Sequence, residues 1–116
     1  MGQEGTVTAG QQQIPLARSY FYSYNPTIGF QWDKDKSVAN EAKHGISFLQ
    51  AAQIFRGPVL KAEDNRRDYG ERRFIATGSY DNTIVNVVFT ERDGDIRIIS
   101  AWRASKRDRK TYQDIG

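Results

Sequence analysis

Three groups of cations stand out among the residues able to do chemistry. Arg66, Arg67, Arg72 and Arg73 bracket Tyr69, Gly70 and Glu71. Arg92 stands just before an Asp93-Gly94 pair, and Arg103, Lys106, Arg107, Arg109 and Lys110 come after the last apolar segment. A guanidinium fork grips a phosphate through two parallel hydrogen bonds, and a tyrosine ring can stack on an unpaired base. Three such groups from separated segments suggest a phosphate-reading surface, although ordinary surface charge explains any one of them equally well. The last group carries a further hint. Lys106 and Arg107 fall in what reads as the first turn of a helix, where the dipole is positive and a cation costs about 0.3–1 kcal/mol. Asp108 offsets part of that cost. Charge set against the dipole points to a role outside the fold.

The remaining reactive groups are few. His44 precedes Gly45 at an expected helix C-terminus, where an imidazolium is stabilised by the dipole and the last carbonyls. It could equally serve as a general acid or base, because it titrates near neutrality. The 116 residues contain no cysteine and one histidine, which excludes disulfides, a thiol nucleophile, a cysteine-based zinc site and a histidine-rich metal site. No cofactor is implied. Lys and Arg number 17 against 14 acids, a net charge of +3, so distribution matters more than the total. No apolar run approaches the roughly 18 residues of a membrane span. The first residues lack the basic and apolar regions of a secretion signal, so a cytoplasmic protein without membrane partners is expected.

Several elements must position these groups. Residues 1 to 29 are expected as an extension, partly disordered, with a mobile leader over residues 1 to 13. Its aromatics Tyr20, Phe21, Tyr22 and Tyr24 fit an added strand, a short helix or a cover over an exposed surface. A single domain is expected over residues 30 to 116. Asp33 caps a helix that ends at Gly45. Ser47 and Gln50 form a capping box for a second helix, with Ile46 able to pack on Ala51 and with Phe48, Ala51, Ala52 and Phe55 on one face, and Gly57-Pro58 stops it. The period then changes to two. VLKAE, RFIATGS, TIVNVVFTE and DIRIISAWR read as strands, the last three joined by turns at Asp81-Asn82 and Asp93-Gly94. Strict alternation places Ile96, Ile98, Ser100 and Trp102 on one face of the last strand and Arg97, Ile99, Ala101 and Arg103 on the other. Ser105 caps a final basic helix with Asp108 at its third position. The expected class is α+β: two N-terminal helices over one face of an antiparallel meander, then a C-terminal basic helix.

Several ordered motifs carry a resemblance. Trp32-Asp33-x-x-Lys36, Asn40-x-x-Lys43-His44-Gly45-Ile46-Ser47-Phe48-x-x-Ala51, Tyr69-Gly70-Glu71-x-Arg73, Thr90-Glu91-Arg92 and Ile98-Ile99-Ser100-Ala101 resemble the BrnT family of type II toxins over about residues 32 to 112. The resemblance implies a RelE-like fold and a ribonuclease activity that arrests translation. It also implies a BrnA-like ribbon-helix-helix antitoxin as partner, through which operator DNA is contacted indirectly. It carries function onto Glu71, Arg73, Arg92 and the basic tail. The family pattern places an arginine directly after Ile-Ser-Ala; here Trp102 stands there and Arg103 comes next, so Arg103 can replace it only if the strand ends early or bulges.

RNA cleavage without a metal needs a base for the 2′-hydroxyl, cations for the phosphorane and an acid for the leaving oxygen. Arginine cannot be the base. The candidates are Glu71, Asp64, Tyr69 and His44. The expected assignment is Glu71 as base, Arg73, Arg92 and Arg103 on the phosphate, and His44 as acid if its helix end faces the cleft. Arg66, Arg67, Tyr69, Arg72, Lys106, Arg107, Arg109 and Lys110 then bind RNA, with no metal site. A plain ion pair accounts for Glu71 nearly as well. The alternative is a non-catalytic module that binds RNA or antitoxin.

Overall fold

In the computed structural model, residues 19–115 are described; the leader expected over residues 1 to 13 lies outside them. Two tight turns organise the sheet. Asp81 and Asn82 have φ of 52° and 61°, and Asp93 and Gly94 have 55° and 81°, the paired left-handed geometry that matches the twist of a two-residue hairpin. They join β4 (Phe74–Tyr80), β5 (Thr83–Arg92) and β6 (Asp95–Arg103), and β3 (Val59–Glu63) pairs antiparallel with β4. This is the expected meander. Two more strands flank the meander, one from the aromatic segment left open by the sequence and one from the start of the expected domain. β1 (Tyr20–Tyr22) pairs antiparallel with β3 at one edge, and β2 (Phe30–Gln31) runs parallel to β6 at the other, in a six-stranded mixed sheet of order β1-β3-β4-β5-β6-β2.

The last strand does not alternate as expected. Val88 faces Ser100, but Phe89 faces Ile98, so Ile99 is an extra residue, a β-bulge. Ile96 and Ile98 therefore join Ala101 in the main core, and Arg97 turns to the opposite face. Trp102 also lies on that opposite face, buried with Ile75 and Val88.

Two helices cover the first face. α1 (Lys34–His44) is capped by Asp33, whose carboxylate accepts from the N–H groups of Asp35 and Lys36, and it ends at Gly45 with φ 75°. α2 (Phe48–Ala52) has the expected capping box and runs on as a 3-10 turn over Gln53–Arg56. Phe48, Ala51, Ala52, Ile54 and Phe55 bury against Val87, Phe89 and Ile98. α3 (Lys106–Ile115) packs elsewhere. Asp108, 1% exposed, accepts from Nδ2 of Asn86 at 3.1 Å, and Asn86 in turn accepts from the Thr77 hydroxyl at 2.6 Å. Asn86 alternates with Val85 and Val87, so α3 covers the face opposite α1 and α2, not the same one.

α1 is fixed by hydrogen bonds more than by apolar burial. Asn40 is its buried residue. Its amide donates to the carbonyls of Ile46 and Ala101 at 2.8 and 2.9 Å and accepts from the Ala101 N–H at 3.2 Å. It thus serves as a strand partner for β6 beyond the end of β2. Asn40→Ala strands three buried backbone groups and is expected to destabilise the fold by about 2–4 kcal/mol, read as a lower denaturant midpoint.

Candidate functional site

The loop between β3 and β4 is built on a buried carboxylate. The Asp64 side chain is fully buried and bonded to Arg66 at 2.7 and 2.8 Å and to the Tyr69 hydroxyl at 3.0 Å. Burial alone would raise this carboxyl, but the bonds and charge of Arg66 outweigh it and hold the group below its ordinary value. Burial and the Asp64 bond raise the Tyr69 phenol in turn. The Asp64 N–H closes the loop on the Arg73 carbonyl at 2.7 Å, and the Arg73 guanidinium lies 4.2 Å from the centre of the Tyr69 ring. The ring is a shelf for Arg73.

Arg73 and Arg92 then meet on one residue. Nε of Arg73 lies 3.1 Å from Oε2 of Glu71, and Nη2 of Arg92 lies 3.6 Å from Oε1. The shallow hollow beside them, about 170 Å³, is also lined by Asp33, Lys36, Thr90 and Arg97. Thr90 and Arg97 are cross-strand partners, and the bulge sends Arg97 to this face. Lys36 stands one turn before Asn40 on α1, so the clamp on Ala101 sets its place. Neither Lys36 nor Arg97 has an ion pair among the described residues. Four cations face two carboxylates, one of which is occupied as the α1 cap.

The other expected site residues are spread over the molecule. His44 sits at the far end of α1 from Lys36, about 12 Å along the axis at 1.5 Å per residue, and burial, then the charge of Lys43, lowers its pKa. Arg103 is the last residue of β6, at the opposite end from Arg97, and the bulge between them leaves it on the α1 side near Gly45. Arg72 pairs with Glu63 through two bonds at 3.1 and 3.2 Å on the outer part of the sheet. Arg67 lies 6.0 Å from the Tyr69 ring centre. On α3, Arg107 contacts Asp108 and Lys110 contacts Asp114, while Lys106 and Arg109 are exposed. Sequence reasoning missed Lys36, Thr90 and Arg97 as site residues. The first two lie inside the motifs quoted above; Arg97 was set beside Arg103 by strict alternation.

Arg73, Arg92, Arg97 and Lys36 surround one glutamate at one end of a six-stranded sheet. Fold and site together define a small basic protein with helices on both faces of a mixed sheet and a cationic hollow at one end of it. The family model described as "Ribonuclease toxin, BrnT, of type II toxin-antitoxin system" matches residues 32–108. The chain belongs to that family of ribonuclease toxins, and membership implies an antitoxin partner. No curated protein matches the chain.

Asp64 stabilises the loop only while ionised. Its folded value is lowered, so its contribution is complete above the ordinary value near 3.8 and is lost as pH falls through the folded one. Asp64→Asn is expected to cost about 2 kcal/mol or more at pH 7. The gap between the two melting temperatures should close as the pH is taken below about 4.

Proposed function

We propose that the Glu71 cluster is the active site of an endoribonuclease that works without a metal ion. One observation carries this reading: Arg73, just before β4, and Arg92, at the end of β5, converge on Glu71 at 3.1 and 3.6 Å, and Arg97 and Lys36, without ion pairs among the described residues, line the same hollow. The surroundings of the competing bases disfavour them. Asp64 is locked to Arg66, Tyr69 is raised above its ordinary value, and His44 is at the wrong end of α1.

In this mechanism a scissile phosphate draws Arg73 and Arg92 away from Glu71. The freed carboxylate takes the 2′-hydroxyl proton, and O2′ attacks phosphorus. Arg73, Arg92 and Arg97 stabilise the charge on the non-bridging oxygens. The P–O5′ bond breaks, Lys36 gives O5′ its proton, and the products are a 2′,3′-cyclic phosphate and a 5′-hydroxyl. Arg67 and Arg72 extend the cationic surface along the loop.

The fold is read as RelE-like, and cleavage of RNA in the cytoplasm is the means of arresting translation. A BrnA-like ribbon-helix-helix antitoxin neutralises the toxin and carries it to operator DNA. One observation favours the non-catalytic alternative: Glu71 is held by two guanidinium groups, which would suit a module that grips phosphate and releases it uncut.

Purified toxin incubated with RNA in EDTA decides between them. Cyclic-phosphate ends are expected; salt-sensitive binding with no cleavage would leave only the module. Glu71→Ala should slow cleavage by about 10²–10⁴-fold, and Arg73→Ala, Arg92→Ala and Arg97→Ala by about 10²–10³-fold each. His44→Ala should leave the rate unchanged.

A further inference from the structure

At the opposite end of the sheet from Glu71 lies a second hollow, about 330 Å³, where three elements meet. Asn82 and Thr83 come from the turn before β5 and its first residue, Arg103 from the end of β6, and Arg109 and Gln113 from α3. Its polar lining side chains are hydrogen-bond donors, and no carboxylate lines it. Arg103 has no ion pair and no hydrogen bond from its side chain among the described residues. Arg109 donates from Nη1 to the Ala104 carbonyl at 3.0 Å, which orients the fork and leaves its other N–H groups for a ligand. The nearby tail cations differ: Arg107 and Lys110 are paired with Asp108 and Asp114. Arg103 also borders the adjoining hollow, which Asp81 and Tyr80 line, but no ion pair joins Asp81 to Arg103.

We propose that Arg103 and Arg109 form a second phosphate subsite, which grips the backbone of the same RNA strand away from the cleaved bond. The proposal rests on the reading of Glu71 as the cleavage site. Two guanidinium forks from different elements, with neutral amide donors beside them, match a phosphate diester. An interface for a protein segment would offer apolar surface, and the apolar groove of this fold is elsewhere, between Ile28, Phe30, Trp32 and Phe55. Six residues of β6 separate Arg97 from Arg103, about 20 Å at roughly 3.3 Å per residue. One phosphate cannot reach both ends. A strand of about six nucleotides or more can, at roughly 3.4 Å each. Length-dependent affinity is therefore built into the molecule.

The test uses the full chain and 2′-O-methyl oligonucleotides, which lack the attacking hydroxyl, with binding measured by fluorescence anisotropy between 50 and 200 mM salt. Arg103→Gln/Arg109→Gln should weaken a 12-mer about tenfold or more and flatten its log–log salt dependence by about 1.4, roughly 0.7 for each lost phosphate contact. A 4-mer should bind the variant as tightly as it binds the wild type. Arg103 supports no other group, so Arg103→Gln alone, with an unchanged melting temperature, should flatten the slope by about 0.7 even if the double variant folds poorly. An unchanged slope for the 12-mer, or equal loss for both lengths, overturns the subsite. So does a variant that loses affinity for its antitoxin while binding the 12-mer normally. A wild type that shows the length effect but does not cut unmodified RNA retains the subsite and refutes the cleavage reading alone.

Discussion

The buried amide of Asn40 is the constraint on which the rest of the molecule depends. Among the described residues no strand neighbours the edge of β6 beyond Gln31, and an unpaired N–H and C=O there would be costly. Asn40 answers both groups at Ala101 and also holds the Ile46 carbonyl at the entry to α2. One side chain thereby docks α1 on the sheet, fixes the link between α1 and α2, and completes the strand. Because Lys36 is one turn away, the same clamp sets the wall of the hollow around Glu71.

The bulge at Ile99 is the second constraint, and it divides the charge. Before it, Arg97 faces the Glu71 cluster; after it, Trp102 is buried on that face and Arg103 stands on the other. Without the bulge, Ile98 and Ala101 would compete for opposite sides, and one would lose its place in the core. Packing of the apolar residues therefore decides where the guanidinium groups go.

Much of this was legible in the sequence, because it arises from local rules. The caps at Asp33 and Ser47, the two left-handed turns and the four meander strands each have a short-range signature. The convergence of Arg73 and Arg92 was also visible, since hairpin topology puts their loop and turn at one end. The bulge was not, because alternation has no mark in Ile98-Ile99-Ser100-Ala101 that distinguishes a slip from a regular strand. The aromatic segment was likewise open. Its place depends on Lys61, which is 5% exposed, lies 4.4, 5.0 and 4.5 Å from the ring centres of Tyr22, Tyr24 and Phe74, and pairs with Glu91 at 2.9 Å. The Tyr24 hydroxyl donates to the same Glu91. A lysine in the middle of VLKAE does not announce such a cage.

The parallel pairing of β2 with β6 joins the early part of the chain to a late one. Contacts so far apart in sequence form slowly, after the hairpins between them. The hollow draws Lys36 from one end of that span, Glu71 and Arg73 from the middle, and Arg97 from the other. A nascent chain therefore carries no assembled cluster until residue 97 has been made and folded back onto α1.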